Sequence, residues 1–334
     1  MSHSSIQTTL VGSYPSPEWM LAFPGEQQVL DATRAVVNLQ EKAGIDLVCD
    51  GELYRFDPNH PEANGMIEYF SHRLTGIRTD STFEEREAYR AQKGTAYRIR
   101  VPGFVEETIG HGDLDLPSAC NRIGRIATHP FKFTVTGPHM LAKLLVNRHY
   151  KSVEQMAFAL ADILAEQIKN LEADVVQIDE ANLPGHPEEW EWAAEAINRM
   201  LDAVKGKPAV HLCFGNYAAR SVQKGSWKNL IEYMNRLHAD HLVLEMADRP
   251  REEIEFFKEV RPEIGLGIGV VDIKTTQVES PEQVAASIEH TASILGLERI
   301  RYIHPDCGLS KLKRFTADAK IEVLAKGRDL FEGR

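Results

Sequence analysis

The sequence predicts a (β/α)8 TIM barrel with an insertion between its second and third strands. Eight short, mostly apolar runs rich in β-branched residues follow one another along the 334 residues. Amphipathic stretches with helical periodicity separate most of them. Several runs are apolar without interruption, as expected for parallel strands that are buried on both faces. Because one barrel of this kind needs about this length, we expect residues 1–334 to form a single domain.

The alternation of strand and helix supports this fold element by element. The predicted strands are Thr8–Tyr14, Ile45–Asp50, Phe131–Thr136, Asp174–Asp179, Ala209–Phe214, His241–Met246, Ile264–Val271 and Ile300–His304. The predicted helices are Val153–Leu171, Pro187–Val204, Trp227–Leu237, Arg251–Val260, Pro281–Leu295 and Leu312–Leu330. The glycine-rich run 265–269 lies inside a predicted strand, so we do not interpret it as a nucleotide-binding loop.

Residues 71–128 interrupt the alternation. The segment starts with a charged stretch, continues with β-like alternation and ends in a loop rich in Gly and Asp. Its apolar residues are too few to fill a separate core, so we interpret it as an insertion within the barrel. It could cover the mouth of the barrel or form a dimer interface, and the sequence does not distinguish the two.

Composition excludes several classes of protein. The chain has 38 Lys+Arg and 49 Asp+Glu, and its net charge of −11 argues against nucleic acid or an anionic membrane surface as the main partner. No apolar run approaches the roughly 20 residues that cross a bilayer, and the first residues lack the features of a secretory signal. Four cysteines are too few for a disulfide scaffold. We therefore expect a soluble, cytoplasmic protein with reduced thiols.

Ionisable side chains collect where the predicted strands end. In a TIM barrel the active site lies at the C-terminal ends of the strands. The polar residues at these ends are Ser13, Asp50, Glu52, His139, Asp179, Glu180, Cys213, Glu245, Asp272, Lys274, Asp306 and Cys307. Loops are polar in any protein, but a barrel built for stability alone does not need so many ionisable groups at one end.

The most specific pattern within this set is a group of metal-binding residue types. His211 and Cys213 lie two residues apart on one strand, so their side chains project from the same face. Glu245 ends the next strand, and Cys307 follows the last one. Imidazole nitrogen, thiolate sulfur and carboxylate oxygen are the usual donors to zinc. We therefore predict one Zn²⁺ at the barrel mouth, with buried, unliganded cysteines as the alternative.

The charge of this donor set constrains its chemistry. Two thiolates and one carboxylate on Zn²⁺ give a net charge of about −1, whereas hydrolytic zinc usually has neutral, His-rich ligands. An electron-rich zinc is better suited to bind a substrate thiol, lower its pKa and leave the thiolate nucleophilic. The residues alone thus indicate a zinc-dependent thiol alkyltransferase, with a purely structural zinc as the alternative.

Seven separated motifs resemble the catalytic C-terminal half of the cobalamin-independent methionine synthases. In chain order they are VGSYP at Val11–Pro15, DGELYR at Asp50–Arg55, GMIEYF at Gly65–Phe70, TGP at Thr136–Pro138, QIDE at Gln177–Glu180, HLC at His211–Cys213 together with Glu245, and PDCGL at Pro305–Leu309. They span nearly the whole chain. The resemblance implies a TIM barrel in which His211, Cys213, Glu245 and Cys307 ligate zinc.

The resemblance also implies a substrate. Homocysteine would enter as its thiolate and leave as methionine. Glu52 and Asp179 would hold its amino group, a fitting use of two carboxylates for one ammonium. Ser13 and the backbone at Val11 would hold its carboxylate. Two alternatives stay open: Ser13 caps a turn, or the two carboxylates pair with Arg55.

Two departures from the family bear on the methyl donor. Folate-dependent members have two barrels and about twice this length. In the segment VVDIK, Lys274 stands where the family places a His thought to manage the proton on the departing folate. A lysine is less suited to donate a proton near neutral pH. We take Lys274 and Asp272 as candidate catalytic residues; a salt bridge from Lys274 to Asp272 or Asp179 is the alternative.

The donor and the partners therefore stay open. The donor could be methylcobalamin or a methylated folate, with a corrinoid or accessory protein supplying contacts that one barrel lacks. His139 and His304 are the other histidines that could take over the proton. The chain could also form a homo-oligomer.

Two further functions remain as alternatives. In the first, the same zinc activates a different thiol, such as coenzyme M, to open an epoxide; its sulfonate would need Arg55, Arg249 or Lys274 near the zinc. The second is a non-catalytic, zinc-stabilised barrel that acts through a protein partner.

Overall fold

The structure, a computed structural model, describes residues 6–57, 59–60, 63–92, 98, 100–216 and 221–334. Its strands are β1 (Gln7–Thr8), β2 (Val48–Cys49), β3 (Thr75–Arg78), β4 (Phe104–Gly110), β5 (Phe131–Thr136), β6 (Val146–Asn147), β7 (Val175–Glu180), β8 (Lys207–Leu212), β9 (His241–Leu244), β10 (Gly265–Val271) and β11 (Ile300–Pro305). Its α-helices are α1 (Glu18–Ala22), α2 (Glu26–Ala43), α3 (Glu68–Ser71), α4 (Phe83–Arg90), α5 (Leu116–Gly124), α6 (Pro138–Leu144), α7 (Val153–Ile168), α8 (Trp190–Leu201), α9 (Ile231–Arg236), α10 (Pro281–Leu295) and α11 (Arg314–Glu332).

Eight of these strands form one parallel sheet that curls into a barrel. Their order is β1-β11-β10-β9-β8-β7-β5-β2, and a parallel bridge between Thr9 and Leu47 joins the two ends of the sheet. The eight strands are those predicted from the sequence, so the predicted barrel is confirmed. β1 and β2 are shorter than predicted, because the chain leaves the sheet after Thr9 and Cys49 and turns across the mouth of the barrel.

Helices surround the sheet, and the six predicted ones are present. α7 starts at an N-cap, where the Ser152 hydroxyl accepts a hydrogen bond from the Gln155 N–H, and it buries an apolar stripe against the strands. The stretch Arg251–Glu259 is a 3-10 helix rather than an α-helix. The sequence did not indicate α2, whose buried face carries only small or polar residues beside two valines.

The segment predicted as an insertion forms a second, smaller sheet and part of the helical ring. β3 pairs antiparallel with β4, and β4 pairs parallel with β6, which follows the third barrel strand. The small sheet is thereby attached to the barrel at β6. α5 contacts α2, α7 and β5, so the last part of residues 71–128 is a helix of the barrel itself. Residues 93–97 and 99, within the predicted β-like alternation, lie outside the described part.

The glycines of β10 make room for the side chains of the neighbouring strand. A Cβ at Gly267 would lie 3.1 Å from Nε2 of His304, and one at Gly269 would lie 2.0 Å from Oδ1 of Asp306. The run is part of a barrel strand, which confirms that it is not a nucleotide-binding loop. In the described part of the chain, no helix has the length and apolar character that crossing a membrane requires.

Candidate active site

A cavity of about 290 Å³ opens where the barrel strands end. Seven of the predicted site residues line it: Val11, Ser13, Glu52, Asp179, His211, Cys213 and Cys307. They come from five different strand ends, which meet only because the sheet closes. The structure thus brings three of the four predicted metal-binding residues and all four predicted substrate-binding residues to one pocket, and Glu245 is not among its lining residues.

Three potential metal ligands converge at one side of this cavity. One donor atom from each of His211, Cys213 and Cys307 lies within 4.8 Å of the other two. The two Sγ atoms are 3.9 Å apart. His211 and Cys213 project from the same face at the end of β8, and the loop after β11 brings Cys307 beside them. As the two-residue spacing predicts, the side chains of His211 and Cys213 therefore reach the same cluster.

The hydrogen bonding of His211 prepares its ring to bind a metal. Nδ1 lies 2.9 Å from the carbonyl oxygen of Val243. Since a carbonyl only accepts, Nδ1 carries the proton and Nε2 carries a lone pair. Nε2 is buried and has no hydrogen-bond partner among the described residues. A second-sphere carbonyl that fixes the tautomer in this way is typical of metal-binding histidines.

The two thiols share a site that favours one thiolate. The pKa of Cys307 lies well below its ordinary value. Contact with Cys213 and, after it, His211 lower this pKa, and burial opposes them without cancelling the effect. The same contact, together with burial, raises the pKa of Cys213 well above it. One nitrogen and two sulfur donors, one already favoured as thiolate, fit a zinc ion with one position left open.

Glu245 lies beside this cluster, but both of its carboxylate oxygens have other partners. Oε1 accepts a hydrogen bond from Nζ of Lys274, and Oε2 accepts one from the backbone N–H of Phe214 at 3.0 Å. The carboxylate is buried, and it interacts electrostatically with both cysteines. Glu245 is not one of the three converging donors, so its role as a zinc ligand stays a prediction, and in this structure its carboxylate is held by a lysine.

The salt-bridge partners predicted for Lys274 are wrong. Its Nζ pairs with Glu245 and, at 3.1 Å, with Asp248. Asp272 instead accepts a hydrogen bond from the backbone N–H of Lys274 at 2.7 Å, which shapes the turn after β10. Burial lowers the pKa of Lys274, but the Glu245 carboxylate outweighs burial and raises that pKa above its ordinary value. Lys274 is therefore a fixed cation rather than an acid that titrates near neutral pH.

Glu52 enters the cavity from a strained turn after β2. It is the one non-glycine residue with positive φ, at 57°, in the described part of the chain, and such strain is often found at functional positions. Its Oε1 accepts a hydrogen bond from Thr134 Oγ1 at 2.7 Å, and its Oε2 lies 3.2 Å from Nη1 of Arg55. A Cβ at Gly12 would lie 2.3 Å from the carboxylate, so only glycine leaves room for it.

Asp179 faces the cavity from the end of β7. Its Oδ1 accepts a hydrogen bond from Gln177 Nε2 at 2.7 Å. Burial, followed by the nearby Glu52 carboxylate, raises the pKa of Asp179 to about 7. Glu180, the next residue, projects to the opposite face and accepts backbone N–H groups of residues 140, 182 and 183. Two carboxylates with one cavity between them would be stabilised by a bound cation.

Ser13 and Val11 lie on the segment that follows β1. The carbonyl oxygen of Ser13 accepts the Leu309 N–H at 2.7 Å, so this segment is tied to the loop that carries Cys307. A Cβ at Gly308 would lie 2.0 Å from the Ser13 hydroxyl oxygen. The hydroxyl is thus placed in the cavity beside the metal-binding cluster rather than on a solvent-exposed turn.

The two histidines considered as substitutes for Lys274 lie elsewhere. His139 sits between Glu180 and Glu189, at 3.1 and 2.8 Å. Burial lowers its pKa, but the two carboxylates outweigh burial and raise it to about 9. His304 is buried in the barrel interior, where burial lowers its pKa to about 3. Neither is among the residues that line the cavity.

Three polar residues below the cavity were missed by the sequence analysis: Lys132, Thr134 and Gln177. All three are buried. The available signal was the presence of polar residues two positions apart in the runs FKFTVT and DVVQID, since alternate residues of a barrel strand face its interior. Arg98, from the predicted insertion, also lines the cavity. The insertion therefore reaches the mouth of the barrel, one of its two predicted roles.

Comparison with known proteins gives consistent results. The sequence model of the family described as "Cobalamin-independent synthase, Catalytic domain" matches residues 6–327. The chain is 33% identical to a methionine synthase of Thermococcus kodakarensis, covering 97% of this chain and 93% of that one. It is 30% identical to a methionine synthase of Sulfurisphaera tokodaii, with 96% and 91% covered. A B12-independent methionine synthase from Shewanella sp. W3-18-1, solved in complex with selenomethionine, superposes with a TM-score of 0.83 at 23% identity, over 98% of each chain.

Proposed function

The chain belongs to the catalytic-domain family of the cobalamin-independent methionine synthases, and on this premise we propose that it transfers a methyl group to the thiol of homocysteine, with one Zn²⁺ as cofactor. The observation that carries the proposal is that one cavity holds both a nitrogen–sulfur donor cluster and the Glu52–Asp179 carboxylate pair. Residues 1–334 act in this proposal as one catalytic domain.

The donor cluster suits thiol activation. His211, Cys213 and Cys307 would hold the zinc, which would lower the pKa of a substrate thiol. Two thiolates neutralise Zn²⁺, and three protein ligands leave a position for that thiol. In this proposal Glu245 is an exchangeable fourth ligand, and Lys274 holds its carboxylate when the thiol is bound. Asp272 orients Lys274 through the turn that they share.

The substrate-binding residues suit an amino acid. Glu52 and Asp179 would bind the ammonium group of homocysteine, while Ser13 and the backbone at Val11 would bind its carboxylate. The chain's own contribution is to orient the thiolate for in-line attack on the methyl group, which converts a bimolecular encounter into a positioned one.

The three cations considered for sulfonate binding do not favour the coenzyme M alternative. Arg55 faces Glu52, Lys274 faces Glu245 and Asp248, and Arg249 pairs with Glu253 at 2.7 Å. Each is neutralised by a carboxylate of this chain, so none is placed to bind a sulfonate. The carboxyl group of Asp179, whose pKa burial and the nearby Glu52 carboxylate raise to about 7, favours a cationic substrate group instead.

A direct product assay tests the proposal. Zinc-loaded protein is incubated with homocysteine and, separately, with methyl-tetrahydrofolate, its polyglutamate, methylcobalamin and a sulfonium donor, and methionine is quantified. Methionine formation with any donor supports the proposal. A protein that binds zinc but neither binds methionine nor forms it from any donor would instead support the non-catalytic barrel.

We expect free methyl-tetrahydrofolate to be a poorer donor than methylcobalamin. The N5 leaving group of a folate needs a proton, and Lys274 is a fixed cation with a raised pKa. A corrinoid leaves without a proton, although a cavity of about 290 Å³ requires it to dock at the mouth. Initial rates with each donor alone measure this. Equal or faster turnover with methyl-tetrahydrofolate, without a helper protein, would refute it.

Replacing Lys274 with methionine should tighten zinc binding and weaken thiol binding. The substitution frees the buried Glu245 carboxylate, which then competes with the substrate thiol for the fourth zinc position. Zinc affinity from chelator competition, and the count of oxygen neighbours from X-ray absorption, measure the change. Lys205→Met is the matched control, because Lys205 forms a Lys–Glu pair at 2.6 Å with Glu172, and neither residue belongs to a group of potential metal ligands. Unchanged zinc affinity and ligand count in Lys274→Met would exclude this role.

A further inference from the structure

The barrel interior beneath the cavity holds a buried lysine without a carboxylate partner. Lys132 lies on β5 and is fully buried. Its Nζ donates hydrogen bonds to the backbone carbonyl of Leu10 and, at 2.8 Å, to Oε1 of Gln177. Among the described residues, no carboxylate lies within ion-pair distance of it. Burying an ammonium in this way is costly, which indicates that its hydrogen bonds serve a purpose beyond packing.

These hydrogen bonds fix the orientation of the Gln177 amide. An ammonium has donors but no acceptor, so the side-chain oxygen of Gln177 must face Lys132. The NH₂ group must then face the opposite way. Its two N–H groups reach the carbonyl oxygen of Val11 at 2.8 Å and Oδ1 of Asp179 at 2.7 Å. Gln177 is fully buried, so water does not compete for these bonds.

One amide therefore connects two parts of the pocket. Val11 belongs to the segment that leads to Ser13, where the substrate carboxylate would bind. Asp179 is half of the carboxylate pair that would bind the ammonium. The bond from Gln177 holds Oδ1 of Asp179 and thereby fixes the direction of the carboxyl group, which lines the cavity.

We propose that Lys132 and Gln177 are positioning residues for the substrate amino group: Lys132 orients the Gln177 amide, and Gln177 holds the carboxyl group of Asp179 aimed into the cavity. This inference rests on the proposed function, because it assumes an amino-acid thiol as substrate. On this inference, two residues that do not touch the substrate allow the site to distinguish an amino-acid thiol from a thiol acid without an amino group. Burial lowers the pKa of Lys132 to about 8, so the ammonium form is retained at neutral pH.

The test compares homocysteine with 4-mercaptobutanoate, the same thiol acid without the amino group. In Gln177→Met, KM for homocysteine should rise about 10- to 100-fold, as expected for a lost charge-assisted contact, while kcat stays within about threefold and zinc content is unchanged. The KM for 4-mercaptobutanoate should change far less, because loss of the contact with Val11 affects both thiols alike and only homocysteine depends on Asp179. Lys132→Met should have the same signature, because without the ammonium the amide of Gln177 is free to turn.

Two controls keep the outcome decisive. Gln40→Met removes an equally buried glutamine, which pairs with the backbone of Cys49 at 2.7 and 2.9 Å in the wall of the barrel; it should lower stability without changing the discrimination between the two thiols. Adding Gln177→Met to Asp179→Asn should have little further effect, since Gln177 acts through Asp179. If Lys132→Met does not fold, Gln177→Met and Gln177→Glu decide the question.

The result separates this inference from the proposed function. If wild-type protein methylates neither thiol, the proposed function fails. If it methylates both with the same KM, the positioning role is overturned while the proposed function stands. The positioning role alone is overturned if wild type distinguishes the two thiols and Gln177→Met keeps the same ratio of KM values. It is also overturned if the effect of Gln177→Met adds fully to that of Asp179→Asn.

Discussion

Cys307→Ser is expected to remove zinc and with it the methyl-transfer activity, while the barrel stays folded. Cys307 is one of three converging donors, and it is the thiol whose pKa its surroundings hold well below the ordinary value. A hydroxyl is a poor ligand in place of a thiolate. Because loss of an outer-sphere partner alone costs roughly 10- to 100-fold in metal affinity or activity, loss of a ligand should cost more.

The fold should not depend on this residue. Cys307 is half-buried in a loop at the mouth, and the barrel core is formed by other residues. Metal analysis, activity and thermal unfolding measure the three quantities on the same preparation. Cys120→Ser is the matched control, because it makes the same change at a buried thiol on α5 and should keep zinc and activity. Full zinc content and full activity in Cys307→Ser would overturn the metal assignment.

The barrel was predictable because its strands have a simple pattern. Runs such as Ala209–Phe214 are short, apolar and bounded by polar loops, and their number and alternation with helices select one fold. α2 was not recognised, since its buried face consists of Ala32, Thr33, Val36, Val37 and Gln40 and contains no large apolar side chain. The small sheet depends on pairing between residues far apart in sequence, so local patterns did not indicate it.

The grouping of the site residues was predictable from the geometry of the barrel, but the contacts of their side chains were not. Once a TIM barrel is assumed, strand ends converge, so His211, Cys213 and Cys307 could be grouped without knowing any distance. The partner of Glu245 could not be inferred, because it depends on how far a flexible lysine side chain extends from the next strand. Lys132 and Gln177 were missed because a polar residue inside an apolar run is informative only when the direction of its side chain is known.

Asp179→Asn and Glu52→Gln are expected to weaken binding of the amino-acid substrate while leaving zinc in place. Each change removes one charge from the pair that faces the cavity and keeps the size of the side chain. Loss of one charge-assisted hydrogen bond costs about 1.5–3 kcal/mol, which is roughly a 10- to 150-fold weaker affinity. The zinc ligands are other residues, so the metal content should stay constant.

Methionine is the appropriate probe, since it has the amino and carboxylate groups of homocysteine but no free thiol. Calorimetric titration of zinc-loaded wild type and both variants gives the dissociation constants. Thr134→Val is a useful comparison, because its hydroxyl donates to Glu52 at 2.7 Å without changing the charge of the pocket, and its effect should be smaller. Normal methionine binding by both charge variants would exclude an amino-acid substrate and would favour another thiol.

The pH dependence of the same titration gives an independent readout of Asp179. Its pKa is raised to about 7, first by burial and second by Glu52, and only the ionised form attracts an ammonium group. Above pH 7 the carboxylate is ionised and affinity for methionine should be constant. As the pH falls below 7 the carboxyl becomes protonated, so affinity should fall by up to about tenfold per unit. In Asp179→Asn this dependence should disappear, because an amide has no proton to lose; a wild-type affinity that is flat between pH 5.5 and 8 would show that Asp179 does not bind the amino group.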